Sequence, residues 1–263
     1  MTSGIDRLLG IMARLRDPEK GCNWDKEQTF ETIAPYTVEE AYEVADAIAR
    51  NDLSALRGEC GDLLFQVVFY AQMAKEQGLF DFDAIANGIS DKLERRHPHV
   101  FSSSPEAAMS ADATKRIWED EKAKERQEKG QQSLLDDVAT GLPPMLRAKK
   151  LQARAARVGF DWPSALPMFD KVLEEVAELK AEVEKGSPRE RLEDEFGDIL
   201  FVLANLARHI KVDPDDALRS TSAKFERRFR FVEARASEAG RDLPDMTMKE
   251  MDAFWDEAKK QGL

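Results

Sequence analysis

Four short segments of this chain place acidic residues at the spacing of an α-helix. Residues 39–43 and 174–178 both read Glu-Glu-x-x-Glu, and residues 59–62 and 195–198 both read Glu-x-x-Asp. Residues three or four positions apart lie on the same side of a helix. Each segment therefore predicts a group of carboxylates on one helix face, an arrangement that can bind a cation or transfer a proton.

Neighbouring apolar residues show which face carries these acids. On a helix that turns about 100° per residue, Ile199 and Val202 fall close to Glu195, and Asp198 lies about 60° to the other side. The acids of the other segments flank apolar residues in the same way. Two such helices packed face to face would gather four carboxylates, and each close pair costs about 4 kcal/mol at an effective dielectric of about 20. Protons or cations must offset that cost.

The ligand type selects the cation. Carboxylate oxygens without histidine or cysteine suit a hard ion, Mg²⁺ or in its place Mn²⁺. A single acidic pair on a helix is usually a solvated face or a partner of the helix dipole, but recurrence in both halves favours a metal cluster. Gly61 and Gly197, within the same helices, indicate close approach by a neighbouring helix. The predicted ligands are Glu175, Glu178, Glu195 and Asp198 in the second half and Glu40, Glu43, Glu59 and Asp62 in the first.

Two basic segments occur in this otherwise acidic chain, KLERRHPHVF at 92–101 and KFERRFRFV at 224–232. Each is either a solvated helix face with internal salt bridges to Glu94 or Glu226, or a clamp for phosphate oxygens. Beside a hard-cation site the clamp is favoured, and carboxylates, cation and clamp together indicate phosphoryl chemistry. The clamp residues are Lys92, Arg95 and Arg96 in the first half and Lys224, Arg227 and Arg228 in the second.

Other catalytic sites find little support. Glu94 to His97 spells the Glu-x-x-His of di-iron bundles, which need two such motifs, but Phe229 stands at the position of His97 in the second half. No Ser-His-Asp or Cys-His triad and no phosphate-binding glycine loop is indicated. Trp118 and Trp255 lie near the ends of the two halves, where each is either a core residue or a platform for a nucleobase.

Composition and periodicity indicate the elements that must position these residues. Of the 263 residues 42% are apolar and 34% charged, and apolar residues recur at threes and fours without strand-like alternation. The predicted fold is all-α, built from helical bundles. The net charge of −12 argues against nucleic acid and anionic membranes as partners. Two cysteines without a CxxC motif exclude a disulfide framework, and the lack of a long apolar run makes the cytoplasm the expected location.

Landmarks in the two halves follow the same order at a nearly constant offset. Asp62 and Asp198 are 136 residues apart, and GCNWD at 21–25 is echoed by GFDWP at 159–163. This period is too long for a solenoid, so it predicts a duplicated domain. A stretch rich in charges of both signs, with few apolar residues, is typical of a linker. The predicted domains are residues 1–120 and 141–263, with the charged linker at 121–140.

In this order, the motifs Glu-Glu-x-x-Glu, Glu-x-x-Asp and Lys-x-Glu-Arg-Arg resemble the MazG family of nucleoside triphosphate pyrophosphohydrolases. The phrases CNWDKEQT, EEAYEV, GDLLFQVVF, KLERRHPHVF and ARVGFDW strengthen the match, and the tandem arrangement is similar to the long bacterial form. The resemblance implies an all-α fold that forms a homodimer, with each site near the dimer interface. It also implies Mg²⁺-dependent hydrolysis of NTPs or dNTPs, ATP included, between the α- and β-phosphates to give the monophosphate and pyrophosphate, with house-cleaning of the nucleotide pool as the expected role.

The resemblance also implies roles for individual residues. Arg191 departs from the lysine expected at its position, which keeps the charge but changes the geometry. The family's C-terminal domain is usually credited with catalysis, so we expect the second repeat to dominate, although the first keeps its carboxylates. Catalysis and metal binding would fall to Glu175, Glu178, Glu195 and Asp198, with the general base unassigned among them. Substrate contacts would come from Lys171, Glu174, Arg191, Lys224, Arg227, Arg228 and Trp255.

Two alternatives stay open at the level of sequence. A non-catalytic helical scaffold would bind metal through the same acids for stability alone, without turnover. An enzyme that cleaves elsewhere, a dNTP triphosphohydrolase or a phosphatase, would release tripolyphosphate or orthophosphate in place of pyrophosphate.

Overall fold

The structure, a computed structural model, describes residues 3–101 and 133–263. Within these ranges the regular structure is helical, and the predicted all-α fold is confirmed. The first half contains α1 (Gly4–Leu15), α2 (Asn23–Glu27), α3 (Phe30–Ala49), α4 (Leu53–Glu76), α5 (Phe82–Arg96) and α6 (Pro98–Phe101). The second half contains α7 (Pro144–Ala155), α8 (Leu166–Lys185), α9 (Arg189–His209), α10 (Pro214–Glu238) and α11 (Met248–Lys260), with short 3₁₀ turns at Ala156–Val158 and Leu243–Asp245.

The chain divides into two compact units, Met1–Ala123 and Lys124–Leu263. The first twelve residues of the predicted linker, 121–132, lie outside the described residues, as does Trp118. The remainder of that segment packs on the second unit, because Val138 is buried and Arg154 donates to the backbone carbonyl of Asp136. The predicted domain limits otherwise stay a prediction.

Both units are built on the same pair of long helices. In the first unit α3 packs against α4 and α1 packs against α4, and in the second α8 packs against α9 and α7 packs against α9. The turns that join the long helices contain a left-handed residue at matching positions, Asn51 with φ 55° and Gly186 with φ 68°. A left-handed residue ends a helix and redirects the chain. The following helix can then return along its predecessor, with the two acidic segments facing each other.

The two units differ in how their centres are filled. In the first, large apolar side chains from α1, α3 and α4 form a closed core. In the second, the buried apolar residues of α9 are Ala204, Leu206 and Ala207, and none of them is aromatic. The core of the first unit consists of Met12, Ile33, Val68, Phe69 and Met73.

The described residues include no helix that combines the length and apolar character needed to cross a membrane.

Candidate active site

The second unit gathers three of its four predicted carboxylate ligands. Glu175 on α8 and Glu195 and Asp198 on α9 each place a carboxylate oxygen within 4.8 Å of the others. Glu175 is 5% exposed and Glu195 is 7% exposed, whereas Asp198 is open to solvent. Buried carboxylates need a cation or a hydrogen-bond donor. We call these three residues the second cluster.

Glu178 lies beside the second cluster but outside the group of three. Desolvation of its carboxyl raises its pKa, and the negative charges of Glu175 and Glu195 raise it further. The charges of the cluster therefore act on Glu178, which is exposed and lies one helical turn beyond Glu175. A cation held between α8 and α9 would relieve this repulsion.

The first unit repeats this arrangement with Glu40 and Glu43 on α3 and Glu59 on α4, whose oxygens lie within 4.8 Å of one another. We call these residues the first cluster. Desolvation and the charge of Asp62 raise the pKa of Glu40, and desolvation and the charge of Glu43 raise the pKa of Glu59. Asp62 thus faces the first cluster without joining the group of three.

Two cations compensate the second cluster. The Nζ atom of Lys171 lies 2.7 Å from Oε1 of Glu174 and 2.8 Å from Oε1 of Glu175. These hydrogen bonds raise the pKa of Lys171 and keep it charged. Arg191, one turn before Glu195 on α9, bonds to Oε1 of that residue and places Nη1 2.7 Å from Asp194 Oδ2. Lys171, Glu174 and Arg191, predicted as substrate contacts, thus lie at the carboxylates.

The oxygen ligands of the second cluster fit a divalent hard cation. They are carboxylates from two helices, close enough to share one ion. The ion pairs with Lys171 and Arg191 fix the positions of the Glu175 and Glu195 carboxylates beside Asp198. Within the described ranges, histidine and cysteine take no part in either cluster, so a soft or histidine-bound metal is disfavoured.

The predicted phosphate clamp lies on a different helix. Lys224, Arg227 and Arg228 belong to α10, which packs against α11 and α7, whereas the carboxylates belong to α8 and α9. The guanidinium of Arg228 lies 5.7 Å from the centre of the Trp255 ring, and its Nε donates to the Leu263 carbonyl at 2.7 Å. Lys224 and Arg227 are exposed, and neither forms an ion pair with another described residue.

Two details of the clamp bear on the alternatives raised by the sequence. Glu226 forms an ion pair with Arg230 at 3.5 Å and with none of the three clamp residues, so the internal salt bridge expected of a solvated face is not formed in this part of the chain. Trp255 packs beside the Phe225 ring at 5.3 Å and is only partly exposed. Its ring is therefore already in contact with protein on one side.

The prediction that Gly61 and Gly197 mark a close helix approach is wrong for the described chain. A Cβ atom at either glycine would meet no atom within 4 Å. Both glycines are exposed, so a helix does not cover this face of α4 or α9 in the described residues.

A cavity beside the second cluster was missed by the sequence reasoning. Its volume is about 620 Å³, and Lys171 lines it as well as contacting the carboxylates. A signal for it is present in the repeat, because Asn205 stands in α9 where α4 has the buried Phe69. The other lining residues are Leu135, Leu151, Gln152, Ala155, Gly159, Phe160, Asp161, Trp162, Phe201 and Val202.

Comparison with known proteins gives consistent matches. A model of the MazG nucleotide pyrophosphohydrolase domain matches residues 28–101 and 164–232. A nucleoside triphosphate pyrophosphohydrolase of Escherichia coli (strain K12) is 54% identical over 98% of this chain and 97% of its own length. A nucleoside triphosphate pyrophosphohydrolase/pyrophosphatase MazG of Thermotoga maritima is 40% identical over 97% of this chain and 95% of its own. A crystal structure of a MazG-related protein from Thermotoga maritima matches 45% of this chain and 98% of that one, at 29% identity and a TM-score of 0.38.

Proposed function

The chain belongs to the MazG nucleotide pyrophosphohydrolase family, and on that premise we propose that it hydrolyses nucleoside triphosphates between the α- and β-phosphates. The products are the nucleoside monophosphate and pyrophosphate, so the reaction removes triphosphates from the nucleotide pool. The observation that carries this proposal is the second cluster, in which buried Glu175 and Glu195 meet Asp198 within 4.8 Å. Such a cluster beside basic residues is suited to phosphoryl chemistry.

Mg²⁺ is the proposed cofactor, with Mn²⁺ as a substitute. Glu175, Glu195 and Asp198 would hold it, and Glu178, one helical turn beyond Glu175, remains the fourth predicted ligand. When bound, the ion would neutralise charge on the phosphates and lower the pKa of water near the α–β bond. The same ion would offset the repulsion that raises the pKa of Glu178.

The side chains of the second cluster and its two cations would perform the remaining steps. An acidic oxygen of the cluster would accept the proton of the attacking water, and the exposed carboxylates of Glu178 and Asp198 have room for a water molecule beside them. Lys171 and Arg191 would exchange a carboxylate partner for phosphate oxygens when the substrate enters. Each side chain can form charge-assisted hydrogen bonds with a carboxylate or with a phosphate.

The clamp on α10 would hold the leaving pyrophosphate. Lys224 and Arg227 have no ion pair with a described residue, so their charge is available to a polyphosphate. Arg228 is fixed by the Leu263 carbonyl and by the Trp255 ring, which orients its guanidinium. Trp255 remains a predicted substrate contact on the same helix pair. Charge neutralisation of this kind assists departure of the leaving group.

We propose that two copies of the chain pair through α8 and α9. Both helices carry apolar side chains at helical spacing that are exposed in the single chain, and such a continuous face is typical of an interface. The residues are Leu166, Phe169, Leu173 and Val176 on α8, and Phe196, Leu200 and Leu203 on α9. Leu173→Glu should produce a monomer in sedimentation experiments, whereas the same change at Leu218 of α10 should leave the mass unchanged.

Product analysis tests the proposed reaction. The wild-type chain and the variants Glu178→Ala and Glu43→Ala are incubated with Mg²⁺ and a mixed panel of NTPs and dNTPs, and the products are separated by anion exchange. We expect the wild type and Glu43→Ala to form monophosphate and pyrophosphate, and Glu178→Ala to form neither. Tripolyphosphate or orthophosphate would favour a different hydrolase, and no turnover by the wild type would favour a metal-stabilised scaffold.

A further inference from the structure

The cavity beside the second cluster has a largely apolar wall. Aromatic side chains of Phe160, Trp162 and Phe201 form part of its wall, with aliphatic carbons of Leu151 and Ala155. Its volume of about 620 Å³ exceeds what a few waters need. Walls of this type bind a planar ring through stacking and burial of apolar surface.

Two amide side chains in the wall have unused hydrogen-bonding capacity. The Nε2 atom of Gln152 donates to the Phe201 carbonyl at 2.7 Å, which fixes the orientation of the amide. Its Oε1 atom is closed off from solvent and lacks a hydrogen-bond partner among the described residues, and Gln152 is only 8% exposed. Native proteins seldom leave such an acceptor unpaired. Because Gln152 also lines the cavity, a ligand N–H is a candidate partner for this acceptor.

Asn205 supplies the complementary group. Its Oδ1 atom accepts from Arg208 Nε at 2.9 Å, so the amide nitrogen of Asn205 is the end left for another partner. Arg208 in turn bonds to Asp161, another residue of the wall. Burial opposes the effect, but hydrogen bonds from His209 and Arg208 lower the pKa of Asp161 and keep it an acceptor for them. This network holds Asn205 in a fixed position.

Lys171 links the cavity to the second cluster. Lys171 lines the cavity while its Nζ atom contacts Glu175. On α9, Phe201 and Asn205 follow Asp198 by three and seven residues, which corresponds to about 5 and 10 Å along the helix. A ligand that occupied both sites would place a flat ring with N–H groups in the cavity and its oxyanions beside the second cluster.

We propose that this cavity binds the nucleobase of the substrate, with Gln152 Oε1 accepting a hydrogen bond from a base N–H and Asn205 donating one to a base acceptor. The proposal rests on the proposed function, since it assigns the base to a cavity adjoining the phosphate site. It makes these two amides the residues that rank one base against another. Trp255, on a different helix pair, then contributes to the phosphate end and has no part in that ranking.

The test compares Gln152→Met with the matched change Gln66→Met. Gln66 is also buried and also has an unpaired Oε1 atom, but it lies in the first unit. Dissociation constants are measured by calorimetry in Mg²⁺ for the α,β-methylene analogues of ATP, GTP, CTP and UTP, which the proposed reaction cannot cleave, and kcat and KM for pyrophosphate release are measured with the four nucleotides themselves. For the nucleotide that binds most tightly, Gln152→Met should raise Kd and KM about tenfold. The differences in Kd among the four nucleotides should therefore become smaller. Gln66→Met should leave the ranking unchanged.

Two further variants keep the test decisive if Gln152→Met fails to fold. Asn205→Ala should narrow the spread between bases in the same way, and Phe160→Ala, which changes a side chain that is 82% exposed, should raise KM for every nucleotide. An unchanged ranking in Gln152→Met and Asn205→Ala would overturn the proposal, as would a ranking lost in Trp255→Ala alone. Binding of NTPs without pyrophosphate release would refute the proposed reaction. The ranking of Kd values would still show whether the cavity binds the base. Failure of the wild type to bind any NTP would overturn both.

Discussion

The two units share one carboxylate frame but differ in what surrounds it. Glu40 and Glu175 occupy matching positions, as do Glu59 and Glu195, and each cluster spans two long helices. The second cluster has counter-cations in Lys171 and Arg191, whereas Tyr36 and Ala55 stand at those positions in the first. Without these cations, desolvation and mutual repulsion raise the pKa of Glu40 and of Glu59.

The two units also differ in the residues that lie beside the carboxylate clusters. In the first unit Phe69 fills the position of Asn205, and the Tyr36 ring meets the Trp24 ring edge-on at 6.0 Å. In the second unit the matching Lys171 and Trp162 line an open cavity. The two units thus share the helices that carry the acids, but the first has a closed apolar core and the second has a cavity beside its cluster. Four experiments, taken in order of decreasing effect, test this contrast.

Phe69→Ala should destabilise the first unit most strongly. The Phe69 side chain is fully buried and contacts the Arg16 guanidinium, whose charge is paired with Glu76 at 2.7 Å. Removing a buried aromatic ring leaves a cavity and costs about 3–5 kcal/mol. The matched change Asn205→Ala should cost about 1 kcal/mol or less, because the second unit already has a cavity there. Urea unfolding followed by circular dichroism checks both, and equal losses would contradict a filled first unit.

Lys171→Tyr should convert the second cluster towards the first and lower kcat/KM about a hundredfold. The change removes the cation that contacts both Glu174 and Glu175. Steady-state pyrophosphate release gives the rate. The reciprocal change Tyr36→Lys should leave turnover as it is, since the buried Phe69 ring occupies the position of Asn205 in the first unit. A Lys171→Tyr enzyme with full activity would show that the counter-cation is dispensable.

Asn205→Phe should close the cavity with the residue that α4 uses. We expect KM to rise about tenfold for all nucleotides and the unfolding free energy to hold or increase, because apolar volume is added to an open space. Asn205→Ala is the control for loss of the amide alone. If KM for Asn205→Phe matched that of the wild type, the base would have to bind elsewhere.

Mildly acidic pH should stabilise the metal-free protein. A carboxyl group whose folded-state pKa is raised binds a proton in the folded state first, so stability increases as pH falls from neutral towards the ordinary value of 4.5. Carboxyls with lowered pKa, such as Glu76 and Asp161, act in the opposite sense only as pH falls below their ordinary values. Thermal melting in EDTA should show a modest rise in Tm between pH 7 and 5.5.

The origin of that rise can be isolated by substitution and by metal. The double variant Glu40→Gln, Glu59→Gln should show a smaller rise than the wild type, and saturating Mg²⁺ should suppress it, because a cation relieves the same repulsion as a proton. A rise that is identical in the double variant would place its cause outside the first cluster.

The sequence predicts the frame well because the frame depends on local spacing. Residues three and four apart share a helix face, and the left-handed residues Asn51 and Gly186 follow the first helix of each pair, so the positions of the acids follow from short segments. Which oxygens come within 4.8 Å depends on the packing of two helices, and spacing alone did not separate Glu175 from Glu178.

The cavity depends on parts of the chain that are far apart. Gln152 of α7 and Phe201 of α9 are separated by 49 residues, and the hydrogen bond between them exists only in the folded unit. The repeat offered a partial signal at Phe69 and Asn205, but a change in side-chain volume becomes a cavity only when no neighbouring side chain fills it. The role of Lys171 as an ion-pair partner of Glu175 likewise required the side-chain positions.

We propose that the second unit performs the reaction, and the matched substitutions Glu195→Gln and Glu59→Gln test this assignment. Both remove one charge from the equivalent carboxylate, and initial rates of pyrophosphate release are measured at saturating Mg²⁺ and substrate. Glu195→Gln should lower kcat about 10²–10³-fold, and Glu59→Gln should retain it within about twofold. Loss of activity in Glu59→Gln, with Glu195→Gln still active, would contradict the account and assign catalysis to the first unit.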